Sequence, residues 1–276
     1  MDFKNTQVSN FEGAFRGLRN PLESWERSDS AFGLDTIYGD TDWIMADLYC
    51  DRDKIDFNSD NFCEVNEQYA EWLRTNGNLK IDEDCIEYAY IGPKDLDLAH
   101  RMIKAGTSDS KFLRQIFVSV DITAPLYWWK EFDTYKIGTV ANSTSTMHKL
   151  ATTPITLECF EKDDYVNSLM LSEENTEEAV VGYFVDDMAK ELVNHLETLR
   201  LKYLETKDKR YWKELIRWLP NGWLQTRTVT LNYAVLRNQY FQRRHHKLSE
   251  WHKYCKWIES LPYSADLITY KEEIDK

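Results

Sequence analysis

A chain of 276 residues that is 42% hydrophobic can bury a sizeable core. Its net charge of −13 argues against a general nucleic-acid binder, which carries a basic face, yet leaves room for a small anion held by a local Arg or Lys cluster. Five cysteines, Cys50, Cys63, Cys85, Cys159 and Cys255, form no CxxC pair, Met1–Arg19 has no apolar signal core and no apolar run reaches spanning length, so the expectation is a soluble, cytoplasmic protein with free thiols.

Along residues 1–60, Gly, Asp, Asn and Ser are frequent, and Arg16-Gly17-Leu18-Arg19-Asn20-Pro21 reads as a turn. Its arginines suit a solvated loop, with reach to an anion as the alternative. Over 61–76, Val65, Tyr69, Trp72 and Leu73 fall at helical spacing. Asp95–Ala105 is a predicted helix with Gly106 as its stop. Ile116–Ile122 alternates apolar residues with Ser and Asp and is the best strand in the chain. The apolar run Phe117–Trp129 reads as core, and Pro125 precedes a helical run, Leu126–Tyr135. Pro154–Phe160 and Glu173–Glu178 read as connector within a largely helical stretch, 151–215. Glu177–Leu204 is a predicted long helix, because Val180, Phe184, Met188, Leu192, Leu196, Leu199 and Tyr203 recur at three- and four-residue steps. A further helix covers Lys209–Trp218 and is broken by Pro220-Asn221-Gly222. Thr226–Leu231 is a second strand by β-branching, Asn232 is placed to cap a helix over Tyr233–Gln242, and Leu248–Leu261 is the last helix. Together these predict one α+β domain over residues 1–276.

Chemistry concentrates in two segments. Ala124–Leu150 is crowded with Thr134, Thr139, Asn142, Ser143, Thr144, Ser145 and Thr146. Such side chains compete for backbone hydrogen bonds and make a poor helix interior. They can satisfy a phosphate, a ribose or a base edge, or simply cap a surface loop. The second segment holds Arg243-Arg244-His245-His246-Lys247, either an anion site or a helix end whose cations complement the dipole. His245, His246 and His252 lack a metal-ligand spacing, and Glu131 and Asp133, two apart on a helix, face different ways. No GxSxG, P-loop or GxGxxG motif occurs.

The two segments together resemble the flavin-dependent thymidylate synthases, whose signature is RHRxxSxNxxSxRY after an Ala-Pro and an aromatic stretch. Here Ala124-Pro125 opens the block, and the register falls on Thr134-Tyr135-Lys136, Thr139, Ala141, Thr144 and Thr146-Met147. Leu219-Pro220, Thr230-Leu231-Asn232 and Arg243 or Arg244 before Trp251 match the family's later block. The resemblance implies an α+β fold with a central, mostly antiparallel sheet that includes 116–122 and 226–231, flanked by long helices. It also implies four subunits, which the 10 Trp and 16 Tyr would suit as core or interface. It implies methylation of dUMP with FAD and methylenetetrahydrofolate, without a protein nucleophile. By the same resemblance, Glu131, Thr144, Thr146, Arg243 and Arg244 bind the nucleotide, and Thr134, Tyr135, Lys136 and Asn142 bind the flavin. Two motif arginines are replaced by Thr134 and Thr146, which carry no charge, and Lys136 keeps a charge without the bidentate fork. The alternative is a catalytically inactive derivative that binds or sequesters a nucleotide, or a structural subunit.

Overall fold

Alternation sets the central strand. In Phe117–Pro125 the side chains of Val118, Val120, Ile122 and Ala124 are buried, while those between them are not. The computed structural model describes residues 1–36, 78–81, 85–163, 168–176 and 179–271, so the helix predicted over 61–76 lies outside the described residues. In chain order the elements are β1 (Asp2–Ser9), α1 (Phe11–Arg19), β2 (Ala31–Thr36), β3 (Asn78–Ile81), β4 (Cys85–Tyr90), α2 (Pro93–Ala105), β5 (Phe117–Pro125), α3 (Leu126–Phe132) and β6 (Val140–Ser143). They continue with α4 (Thr146–Lys149), β7 (Met170–Thr176), β8 (Ala179–Phe184), α5 (Val185–Thr206), α6 (Lys209–Arg217), β9 (Leu224–Asn232), α7 (Tyr233–Arg243) and α8 (Ser249–Glu259). The central antiparallel sheet has the order β1-β5-β9-β6, so both predicted strands lie side by side in it. β2, β4 and β3 form a second antiparallel sheet, and β7 pairs with β8 as a hairpin.

The chain divides into two compact units. The first comprises Met1–Lys4, Val120–Lys136 and Ala141–Val229. Its helical core is Leu150, Ile155, Leu196 and Leu215, against which Leu192, Leu199, Ile216 and Trp223 pack. Leu192, Leu196 and Leu199 recur along one face of α5, as predicted. One turn on, buried Arg200 places Nε and Nη2 on the two carboxylate oxygens of Glu197 at 2.7 and 2.5 Å and Nη1 on the Ala151 carbonyl at 3.2 Å. The helix expected from Glu177 begins instead at Val185. Ala179–Phe184, rich in β-branched and aromatic residues, pairs with Met170–Thr176, so most of the expected acidic connector is a strand. The Asp187 carboxylate accepts the Phe184 N–H at 3.1 Å and starts the helix there.

The second unit comprises Asn5–Ser119, Ile137–Val140 and Thr230–Lys276. Phe11, Ala14, Phe15 and Leu18 form the buried face of α1, which corrects the turn expected at Arg16–Pro21: the helix runs through Arg19, and Pro21 sits in a 3-10 turn after it. Arg19 is not solvated either. Its Nε donates to Asp95 Oδ1 at 2.5 Å, and the Ser28 and Ser30 hydroxyls donate to Oδ2 at the same distance. Asp29 accepts the Lys94 and Asp95 N–H groups and thereby caps α2. Gly106 ends α2 with φ +119, in the region that favours glycine. Trp251, Tyr254 and Ile258 of α8 are fully buried.

Candidate functional site

In the first unit, α3 ends in a turn whose Thr134 hydroxyl donates to the Glu131 carbonyl at 2.7 Å. Tyr135 is half-buried and Lys136 exposed on the same turn, and Asn142 is exposed on β6. Thr144 and Thr146 are gathered by β9: the Gln225 amide donates to the Thr144 carbonyl at 3.0 Å and the Thr146 hydroxyl at 3.3 Å. Arg227, two residues along, holds Gln225 Oε1 at 3.0 Å and Asp133 at 2.7 Å, with its guanidinium 4.2 Å above the Trp129 ring. A cleft of about 190 Å³ lies beside Thr144, Ser145, Thr146, Lys149 and Trp223. The polar segment is thus partly self-capped, since Ser145 Oγ accepts the His148 N–H at 3.2 Å.

The second unit holds a larger cleft of about 670 Å³. Its walls include Ile137 and Gly138 from the signature register, Asn232, and the face of α7 that carries Val235, Arg237 and Phe241. The Asn232 side chain accepts the Val235 N–H at 3.1 Å, so α7 starts at the cleft as the sequence predicts. Gly138 has φ +73, and a Cβ there would lie 3.0 Å from Asn232 Nδ2 and 3.2 Å from Val235 Cγ2. Only glycine lets the 137–140 loop come this close to the helix start. Next to it, the Thr139 hydroxyl is buried without a hydrogen-bond partner.

Arg243 and Arg244 diverge. Arg243 lies 4.6 Å over the Trp251 ring, and Arg244 lies 5.2 Å from the Phe241 ring centre with Nε buried and unpartnered. Neither lines the large cleft, and Glu131, Thr134, Tyr135, Lys136 and Asn142 line neither cleft. Sequence reasoning missed Arg237 and Phe241, although Arg237, Phe241 and Arg244 stand four and three residues apart and so share a helical face. Burial lowers the Arg237 pKa from the ordinary arginine value. Burial likewise pushes the Cys255 thiol up to about 11, which removes it as a nucleophile at neutral pH. Among the described residues no group of three His, Cys, Asp or Glu could hold a metal ion, and no helix is long and apolar enough to cross a membrane.

No protein-family model matches the sequence, and a comparison with curated proteins finds no match. Solved structures do match. A flavin-dependent thymidylate synthase from Helicobacter pylori, complexed with FAD and dUMP, superposes over 97% of both chains with a TM-score of 0.54 at 15% identity. A second structure of thymidylate synthase X from Helicobacter pylori, with FAD and dUMP, covers 97% of both chains with a TM-score of 0.52 at 15% identity. The chain therefore carries the fold that its two signature segments imply, that of the flavin-dependent thymidylate synthases.

Proposed function

We propose that the chain binds a pyrimidine nucleotide in the large cleft of its second unit, as a divergent protein of thymidylate-synthase fold. The observation that carries this reading is the meeting of Ile137-Gly138 and Asn232–Phe241 around one cleft, since these belong to the two segments that resemble the synthases. Its volume falls within the roughly 300–1,000 Å³ typical of small-molecule sites. The Helicobacter pylori proteins of the same fold were solved with FAD and dUMP. A flavin fits the residues present: Asn232, Arg237 and Asn238 bring amide and guanidinium groups to the cleft wall, and the Thr139 hydroxyl, buried beside Gly138, lacks a partner. Asn232, Arg237 and Asn238, which line the cleft, would hold it. When bound, FAD supplies hydride transfer, while the chain orients the ligands and excludes water.

Binding without methylation is favoured by the fate of the replaced arginines. Thr134 spends its hydroxyl on the Glu131 carbonyl, and Thr146 meets Gln225. Each charged hydrogen bond missing relative to the family motif is worth about 1.5–3 kcal/mol. Methylation of dUMP with FAD and methylenetetrahydrofolate is the second reading, supported by the fold and by the cation retained at Lys136. Calorimetry with dUMP, dTMP and FAD tests the first reading, and heat with none of them overturns it. Flavin absorbance in the purified protein, together with rescue of a thymidine-requiring host, decides for the enzyme.

Self-association into a tetramer belongs to the same proposal. Leu169, Met170, Leu171 and Met188 of the first unit are between 46 and 55% exposed, apolar side chains that a second copy would cover. Light scattering that finds a strict monomer at micromolar concentration removes it.

A further inference from the structure

The α7 wall of the large cleft carries more positive charge than the nucleotide reading uses, since Arg237 there is joined by Arg244 and Lys271. The Arg237 guanidinium lies 4.8 Å from the centre of the Phe241 ring, the Arg244 guanidinium 5.2 Å and the Lys271 ammonium 5.2 Å. Three cations therefore share one phenyl ring, and no two of them stand farther apart than twice the longer distance. Among the described residues, none of the three pairs with a carboxylate. Arg237 Nη1 donates to the carbonyls of Ile268 and Tyr270, both at 2.7 Å. Arg244 keeps a buried Nε without an acceptor. The acid beside them, Glu259, accepts the Tyr240 hydroxyl at 2.8 Å.

This arrangement is costly in isolation. Like charges held together repel, and burying part of a guanidinium removes water that would have screened it. The ring's π face offsets a share of that cost for each cation. An anion among the three would offset the remainder. The rest of the chain has abundant acid, with 47 Asp and Glu against 34 Lys and Arg, yet the acid nearby, Glu259, is engaged by Tyr240, and among the described residues none forms an ion pair with the three cations. Arg237 and Phe241 also line the cleft, so a ligand seated there meets Arg237 and the ring around which Arg244 and Lys271 gather.

We propose that Arg237, Arg244 and Lys271 form a polyphosphate site, so that the ligand of the cleft is a nucleoside di- or triphosphate in preference to a monophosphate. This rests on the nucleotide reading above. A single phosphoryl group engages one or two of the cations, whereas a second and third extend along the Phe241 ring and engage them all. Two of the three are arginines, whose forks hold two phosphate oxygens at once.

The test is calorimetry with dUMP, dUDP, dUTP and inorganic triphosphate on the full chain and on Lys271→Gln and Arg244→Gln variants. Lys271 is exposed, so its variant keeps the fold, and a melting curve confirms this for Arg244→Gln. The expected result is dUTP binding roughly tenfold or more tighter than dUMP, the equivalent of one added charge-assisted hydrogen bond. Each substitution should weaken dUTP about tenfold and dUMP by less than about twofold. Equal affinity for dUMP and dUTP, or a Lys271→Gln variant indistinguishable from the parent, overturns this inference and leaves the nucleotide reading standing. Inorganic triphosphate bound through Lys271, with no nucleotide bound, keeps the anion site and overturns the nucleotide reading. Silence from all four ligands overturns both.

Discussion

Arg19 and Arg244 belong to the same unit and show two uses of a guanidinium. Arg19 is 6% exposed and pairs with Asp95, which is fully buried and also takes the Ser28 and Ser30 hydroxyls. Both carboxylate oxygens of Asp95 accept hydrogen bonds and Arg19 also donates to the Ser24 carbonyl, so the buried charges are paired and bonded as burial requires. Arg244, beside Arg237 and Lys271, faces a ring instead of an acid, and its buried Nε is unsatisfied. The contrast separates charge that holds the fold from charge kept ready for a partner. Cutting the first should cost stability, and cutting the second should cost binding.

The largest effect is expected from Asp95→Ala. It leaves the Arg19 guanidinium buried without its acid and orphans two hydroxyls, and removing one partner of a buried pair costs about 3–5 kcal/mol. Urea denaturation should show a midpoint lowered accordingly, with the slope unchanged. A variant as stable as the parent would mean that the Asp95 network holds nothing together.

Glu197→Gln carries the comparison into the first unit. The hydrogen bond from Arg200 is the main cause that lowers the Glu197 pKa from its ordinary value of 4.5, with the Ile155 N–H adding to it. A lowered folded-state pKa means that the unfolded chain binds the proton more tightly. The stabilisation is therefore full above the ordinary value and is lost as pH falls through the folded value. Arg200 shifts the other way, raised by the same bond, and stays charged throughout. At neutral pH the variant should lose about 1.5 kcal/mol, the low end for a hydrogen bond to a charged group. Below pH 4.5 the gap between variant and parent should narrow. Melting temperatures recorded across that range check both parts, and a constant gap would show that Glu197 does not titrate with folding.

How far the sequence reaches follows from how local each signal is. The strand at Phe117–Pro125 was legible because alternation is read within a few residues, and the cap at Asn232 because one side chain and one amide decide it. The β7–β8 hairpin was not, because Val180 and Phe184 satisfy a step of four as well as a step of two, and only pairing with Met170–Thr176 chooses between them. Arg19 looked solvated because its partner lies 76 residues away. At the site, the Ile137-Gly138 segment and the start of α7 lay within the segments that chemistry had marked. The charged face of α7 was present in the spacing of Arg237, Phe241 and Arg244, but Lys271 joins it only when the chain returns.

Gly138→Ala should separate fold from site at the cleft wall. Its φ of +73 is disfavoured for alanine, and the added Cβ would press on Asn232 and Val235. A misplaced Cβ of this kind costs about 1 kcal/mol or somewhat more. Because the loop borders the cleft, nucleotide affinity should fall together with the melting temperature. Loss of stability with affinity unchanged would place the nucleotide elsewhere.

Arg244→Gln should change stability least of all. Glutamine keeps a polar head at the α7 end and removes one of three like charges around Phe241, so repulsion with Arg237 and Lys271 falls. Against that stand the lost cation–π contact, worth about 0.5–1 kcal/mol at a partly exposed ring, and the loss of a cation from the last turn of the helix. These terms oppose one another, and the net should lie within about 0.5 kcal/mol of zero, as for a substitution that breaks no satisfied network. Denaturation midpoints of parent and variant should therefore nearly coincide. A loss as large as that of Asp95→Ala would show that Arg244 is fastened into the fold as Arg19 is, and the distinction between the two arginines would collapse.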